Sequence, residues 1–269
     1  MRADADGIGL HFEIEGNGTP LVLTHGLGDD LHFWDGVAPA LAQHHRVIRW
    51  DVRGFGLSDK PAGPYTPEML AADLAHVLDA AEVADAHVGG LSMGGVIAQR
   101  LALDFPQRVR SLVLVSTSSE VGAQGAANWQ RLADSIERRG FGDRGRDASR
   151  SFSPGFAAAH PAIVAAAGEQ TARNDPAAYA AAARAMSAYH WTGELPRIRV
   201  PALILQGLAD QLTPPGGSVK MHRQLPASRL LMVPDTGHSL PIEQPALFTT
   251  AVLSFTGGVD AYRRLMEKA

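Results

Sequence analysis

Short apolar segments recur along the chain, and each is bounded by Gly, Asp or Pro. Several of them, such as LVLVS and ALILQ, are continuously apolar, which is typical of strands buried on both faces of a parallel sheet. The predicted strands are Leu10–Ile14, Pro20–Thr24, Arg46–Trp50, Ala86–Gly89, Leu112–Ser116, Ala202–Gln206 and Leu230–Val233.

Helical patterns alternate with these strands. The clearest of them keeps one apolar stripe, at Leu70, Leu74, Val77, Leu78 and Ala81. The predicted helices are Phe33–Gln43, Pro67–Ala80, Met93–Phe105, Gly216–Leu225 and Pro245–Phe255. This strand–helix order predicts an α/β fold, doubly wound around a mostly parallel sheet, that opens with an antiparallel hairpin near the N-terminus.

The alternation stops between Glu120 and Pro196, where no strand-like segment occurs and alanine, arginine and glycine dominate. This stretch still contains enough aromatic and aliphatic residues to bury a surface, so it is not a disordered linker. We predict a helical cap over residues 120–194, folded over the carboxyl end of the sheet. The α/β core would then consist of residues 1–119 and 195–269.

Composition narrows the possible partners. Of 269 residues, 45% are hydrophobic and 19% are charged, as in a globular protein with a full core. The formal net charge is −4 and no long basic run occurs, so nucleic acid is not an expected partner. The chain has no cysteine, which excludes disulfides and thiolate metal sites, and its histidines lack metal-ligand spacing.

No N-terminal segment has the apolar centre of an export signal, and no stretch reaches the ~18 apolar residues of a membrane span. We therefore expect a cytoplasmic protein that does not enter a membrane.

Residues 90–94 read GLSMG, which matches G-x-S-x-G, and they join a predicted strand to a predicted helix. A serine in such a tight turn has strained backbone angles, and close approach of the flanking elements requires Gly90 and Gly94. The hydroxyl of Ser92 would stand exposed above the sheet as a nucleophile. The alternative is a glycine-rich turn that holds a serine without a function.

A serine hydroxyl needs a base, and the base needs an acid that orients it, in the chain order Ser, acid, His. Asp210 follows the predicted strand ending at Gln206, and His238 follows the strand ending at Val233. Loops at the carboxyl ends of parallel strands converge on one place. We therefore predict a Ser92–His238–Asp210 triad, with Asp235 as the weaker alternative for the acid.

Acyl transfer also needs N–H donors for the oxyanion. We expect them from Met93, which follows the nucleophile, and from Leu27 in the loop HGLG. The substrate pocket is expected to include His25, Trp34, Trp129 and Trp191. Of these, His25 is interpreted as a packed histidine of the loop rather than as a catalytic base. His190 is a further candidate contact in the cap.

The segments HGLGDDLHFW, DVRGFGLSD, GLSMGG, GLAD and DTGH resemble the α/β-hydrolase superfamily over essentially the whole chain. Within it, HGLG, GLSMGG and the cap segment FSPGFAAAHP look like the 3-oxoadipate enol-lactonases, which open an enol-lactone without a cofactor. The resemblance implies the same roles for the triad residues and for Leu27 and Met93, and it implies a small-molecule ester or lactone as substrate.

The cap departs from the enol-lactonase pattern. It has MSAYHWTGEL where an acidic D-x-D is expected, and alanines at 180–183. A lactone derived from a dicarboxylate would also need a cation, for which the candidates are Arg131, Arg138, Arg173 and Arg184. Carboxylesterase, thioesterase, carbon–carbon bond hydrolase and perhydrolase therefore stay open as alternatives, and so does a receptor without catalytic activity.

Overall fold

The computed structural model describes residues 1–142 and 147–267. Within them, eight strands form one sheet in the order β1-β2-β4-β3-β5-β6-β7-β8. The strands are β1 (Arg2–Ala5), β2 (Ile8–Glu15), β3 (Thr19–Thr24), β4 (His45–Trp50), β5 (Ala86–Leu91), β6 (Val109–Val115), β7 (Ala202–Gly207) and β8 (Ser228–Val233).

Strands β3 to β8 run parallel to one another, whereas β2 is antiparallel to both β1 and β4. Every residue of β5 and of β7 is buried, as continuously apolar strands require. The α/β class with a mostly parallel sheet is thus confirmed. The antiparallel hairpin consists of β1 and β2, and β4 separates β2 from β3.

Helices cover both faces of the sheet, and two buried apolar clusters lie between helices and strands. The described helices are α1 (Ala38–Ala42), α2 (Pro67–Ala80), α3 (Met93–Asp104), α4 (Ala123–Arg139), α5 (Pro154–Ala159), α6 (Pro161–Ala172), α7 (Pro176–Ala185), α8 (Gly216–Gln224), α9 (Leu240–Glu243) and α10 (Pro245–Met266). The apolar stripe predicted in α2 faces the core, and Thr66 caps that helix by accepting from the N–H of Met69.

The helix predicted over Phe33–Gln43 is wrong in its extent. A 3₁₀ turn over Leu31–Trp34, capped by Asp30, precedes the five-residue α1, which carries a proline in its first turn. Proline is suited to that position but not to a helix interior, so no single helix runs through the segment.

The C-terminal helix extends past its predicted end at Phe255, although Gly257 and Gly258 follow. Val259 and Asp260 are buried against the sheet, and this tertiary packing outweighs the low helix propensity of the two glycines.

Helices α4 to α7 all lie between β6 and β7, in the segment predicted to be a cap. Six alanines of α7 are buried, namely Ala178, Ala180, Ala181, Ala182, Ala183 and Ala185. They pack closely against the core: a Cβ on Gly63 would lie 2.8 Å from the Ala181 Cβ, which leaves no room for a side chain at Gly63. Of the predicted cap and core ranges, residues 143–146 and 268–269 lie outside the described residues, and the boundaries at 120 and 194 stay predictions.

Among the described residues, no helix combines the length and the apolar composition needed to cross a bilayer.

Candidate active site

Ser92 lies at a sharp turn between β5 and α3, with φ 52° and ψ −113°. A Cβ on Gly90 would lie 2.2 Å from the carbonyl of Gly94, and one on Gly94 would lie 2.2 Å from the carbonyl oxygen of Thr24. The two glycines therefore allow a backbone approach that no side chain would permit. A left-handed serine costs about 1–3 kcal/mol, so the surrounding packing holds Ser92 in this conformation.

Asp210 and His238 lie in the loops after β7 and β8. His238 Nδ1 is 2.9 Å from Asp210 Oδ2, and both side chains are buried. The other candidate acid, Asp235, is exposed and takes φ 50°, so it shapes the turn before the histidine. The carboxylate partner of His238 is therefore Asp210, and the Thr213 hydroxyl lies 3.1 Å from the same Nδ1.

The charge state of Asp210 is set by its surroundings. Burial by itself raises the pKa of this carboxyl, but the His238 imidazole and hydrogen bonds from His238 and Thr213 outweigh burial and lower the pKa below its ordinary value. The N–H groups of Leu212 and Thr213 donate to Oδ1 at 2.8 and 2.9 Å, and the Thr213 hydroxyl donates to Oδ2 at 2.7 Å. An ionised Asp210 can hold the Nδ1 proton of His238, which leaves Nε2 free to accept one.

The loop that carries His238 is fixed by Glu243, a residue that the sequence prediction missed. Its carboxylate accepts from the N–H of Gly237 at 2.9 Å and from the N–H of Ser153 at 3.1 Å. Ser153 belongs to the segment between β6 and β7, so one buried carboxylate joins the histidine loop to that segment.

The loop after β3 contains Leu27, and its N–H donates no hydrogen bond to the described part of the chain. Met93 is the first residue of α3, so its N–H has no partner within the helix. Asn174 supports the loop because its side-chain amide donates to the carbonyl of Gly28 at 2.7 Å. The Thr117 hydroxyl donates to the carbonyl of Ser92 at 2.8 Å, a second contact that the sequence prediction missed.

A cavity of about 490 Å³ opens beside Ser92, and its wall includes Leu27, Met93 and Trp129. Helix α4 and the residues after α7 form one side, through Trp129 and Tyr189. The volume is that of a small-molecule site.

Three residues predicted for the pocket do not line this cavity, which corrects the prediction. Trp34 is fully buried in the core, 5.8 Å from Phe248 between ring centroids. Trp191 is buried against α3, where its Nε1 donates to Gln99 Oε1 at 3.2 Å.

His25 is the third, and it is a packed histidine of the loop. Its Nδ1 is 2.7 Å from the carbonyl of Gly26, and the N–H of Val52 donates to its Nε2 at 3.1 Å. Burial lowers the pKa of His25, so its neutral ring joins the loops after β3 and β4. An aromatic or histidine residue in the sequence signals burial as readily as it signals substrate contact.

None of the four arginines suggested for an anionic substrate lines the cavity. Arg184 pairs with Asp134 and Glu137, and the other three are exposed. The cation in the cavity wall is Lys220, which is paired with Glu120. His190 is also beside Glu120, at 3.3 Å, and is exposed.

A family profile described as the α/β-hydrolase fold matches residues 19–245. Over 96% of its length the chain is 34% identical to a protein of Azorhizobium caulinodans provisionally named carbamate hydrolase RutD, 97% of which is covered. The structure superposes on a thermophilic esterase from Thermogutta terrifontis with a TM-score of 0.90 and 31% identity, covering 96% of this chain and 98% of that one. An enol-lactonase from Burkholderia xenovorans gives a TM-score of 0.91 and 30% identity, with 96% and 100% covered.

These similarities confirm the resemblance drawn from the motifs, and a further relative, at 30% identity, is a 3-oxoadipate enol-lactonase of Acinetobacter baylyi. Because the family profile spans most of the chain and its named relatives are hydrolases, the chain belongs to the α/β-hydrolase family and is a hydrolase.

Proposed function

We propose that the chain is a cofactor-independent serine hydrolase that opens a small ester or lactone through an acyl-enzyme. The observation that carries this proposal is the strained Ser92 at the wall of a cavity, together with the Asp210–His238 hydrogen bond in the loops after β7 and β8. A serine with left-handed backbone angles and a buried carboxylate–imidazole pair each lower the stability of the fold. Both features are required for a serine nucleophile that is activated by a histidine base.

In the proposed reaction, Ser92 Oγ attacks the substrate carbonyl while His238 Nε2 takes its proton. The N–H groups of Leu27 and Met93 donate to the oxyanion of the tetrahedral intermediate. His238 then protonates the leaving oxygen, which stays on the product when the substrate is a lactone. Water activated by His238 finally releases the acid and regenerates Ser92.

The lining of the cavity supports a neutral substrate. Its cation, Lys220, is neutralised by Glu120, and the Lys220 side chain lowers the pKa of that carboxylate. A substrate carboxylate would have to displace Glu120 before it could pair with Lys220. Within the lactones and esters, we therefore favour a neutral molecule that fits a cavity of about 490 Å³.

The test is labelling of the purified protein with a fluorophosphonate, run beside hydrolysis of a panel of small esters and lactones. The wild-type protein should label at one serine and turn over at least one substrate. Ser92→Ala should abolish labelling and lower kcat by at least about 10³-fold, with an unchanged circular dichroism spectrum. Labelling that persists in Ser92→Ala would remove Ser92 from its role. A native protein that never labels would instead favour the receptor alternative.

A further inference from the structure

The loop after β3 carries a second acidic side chain whose position the proposed reaction does not use. A Cβ placed on Gly26 would lie 3.1 Å from Asp29 Oδ2 and 3.7 Å from the Cβ of Ser92. The Asp29 carboxyl and the Ser92 side chain thus flank the same glycine. These two distances put Asp29 Oδ2 within about 7 Å of the Ser92 Cβ, in the same loop as the predicted oxyanion donor Leu27.

Asp29 has no partner for its charge. Its carboxyl makes no hydrogen bond or ion pair with any residue of the described chain, although the neighbouring Asp30 accepts from Gln170 Nε2 at 2.7 Å and caps a 3₁₀ turn. Burial and the adjacent Asp30 raise the pKa of Asp29 to about 8. A carboxyl with that pKa carries its proton at neutral pH and acts as a hydrogen-bond donor.

Among the described residues, the groups that face Asp29 from other elements do not supply a cation. A titratable side chain beside this loop is Tyr179 of α7, which is buried and is not a cation. Burial raises the pKa of Tyr179, and the charge of Asp29 raises it further. Gln170 and Thr171 of α6, which border the loop at Asp30 and Gly28, are uncharged. The charge state of Asp29 therefore follows pH and the substrate, because no ion pair within the described protein fixes it.

We propose that Asp29 is a specificity-determining residue whose carboxyl donates a hydrogen bond to an acceptor oxygen of the substrate, such as a carbonyl close to the bond that is cleaved. This inference rests on the proposed serine hydrolase function. It favours substrates with a second oxygen near the reacting carbonyl over plain alkyl esters. Once Asp29 ionises, its negative charge also disfavours substrates that carry a carboxylate at the position of this second oxygen, because two like charges would then be close together.

The experiment compares ethyl 3-oxobutanoate with ethyl butanoate, which differ by one carbonyl oxygen. The ratio of their kcat/KM values removes effects that are common to both substrates, such as a slower acyl transfer. Asp29→Ala should lower this ratio about tenfold. Asp29→Asn, which keeps a donor, should retain most of it.

The pH profile separates a hydrogen-bonding role from a structural one. In the wild-type protein the ratio should fall between about pH 7 and about pH 9, because an ionised Asp29 cannot donate. In Asp29→Asn the ratio should not change over this range. Asp35→Asn is the matched control, since it removes the same charge from an exposed carboxylate that pairs with Arg49, and it should leave both the ratio and its pH dependence unchanged.

A ratio that is insensitive to Asp29→Ala, or a wild-type ratio that is constant with pH, would overturn the role of Asp29. The pH series uses only wild-type protein, so it decides the matter even where a variant fails to fold. A protein that neither labels with fluorophosphonate nor hydrolyses either ester would overturn the serine hydrolase function itself, which is a distinguishable result.

Discussion

At the scale of single residues, Gly94 is a position of the nucleophile turn that has no room for a side chain. A Cβ there would lie 2.2 Å from the backbone oxygen of Thr24, and backbone atoms in the middle of a sheet have no room to move. Gly94→Ala should lower the free energy of unfolding by about 3 kcal/mol, measured as the shift in a urea unfolding midpoint.

The matched control is Gly257→Ala, because nothing lies within 4 Å of a Cβ at that exposed position of α10. It should raise the free energy of unfolding by about 0.5–1 kcal/mol through helix propensity. Equal effects of the two substitutions would show that close approach at Gly94 does not constrain the turn.

The acid of the proposed triad is testable by removing its charge without changing its shape. Asp210→Asn should lower kcat by about 10³–10⁴-fold, because an amide does not hold His238 with its Nδ1 protonated as a carboxylate does. The measurement is ester hydrolysis at pH 8. Asp235→Asn is the control, since that residue is exposed in a left-handed turn where asparagine is well tolerated. The assignment of Asp210 fails if the two variants lose the same activity.

At the scale of elements, the histidine loop depends on the buried carboxylate of Glu243. Glu243→Ala leaves the N–H groups of Gly237 and Ser153 without their acceptor, at about 1–3 kcal/mol each. We expect a loss of about 3 kcal/mol in unfolding free energy and a lower kcat, because Gly237 directly precedes His238. Glu243→Gln, which retains an acceptor oxygen, should fall between wild type and Glu243→Ala. A Glu243→Ala protein that unfolds and turns over like wild type would contradict this role.

The elements that the sequence predicts well are those with a strong local pattern. Strands β6 and β7 were recognisable because they are buried on both faces and therefore continuously apolar, and α2 because its stripe faces one cluster. The segment after Phe33 lacked such a pattern. Its conformation depends on the capping by Asp30 and on one proline, which together yield a 3₁₀ turn and a short helix.

The candidate site divides in the same way. The Ser92 turn and the loops of Asp210 and His238 follow from the chain order at the ends of parallel strands, so the sequence indicates them. Glu243 acts through a contact with Ser153, which is distant in the chain, and Asp29 is distinguished by the absence of an ion-pair partner in the described part of the chain. Neither property leaves a pattern in the local sequence. Trp34 shows the reverse error, since its position close to a site loop suggested a pocket residue although its ring fills the core.

At the scale of the whole molecule, a buried polar cluster lies between the sheet and α10, and its members come from four elements. His87 of β5 contacts Asp260 of α10 at 3.1 Å and the Ser111 hydroxyl of β6 at 2.7 Å, and its ring centroid is 5.6 Å from that of His45 of β4. Burial lowers the pKa of His87 to about 4, and the charge of Asp260 opposes this shift without outweighing it. Burial also lowers the pKa of His45.

This cluster should make the fold sensitive to acid well before the carboxylates titrate. Because the pKa of His87 is lower in the folded state than the unfolded value of about 6.5, the unfolded chain binds the proton first, and stability falls as pH decreases from about 6.5 to about 4. The loss from His87 alone is on the order of 3 kcal/mol at the lower end of that range. Thermal unfolding midpoints measured across this range should therefore drop. In His87→Gln the dependence should be weaker, whereas His222→Gln, at an exposed histidine, should keep the wild-type slope. If His87→Gln also keeps that slope, the acid sensitivity does not arise from this cluster.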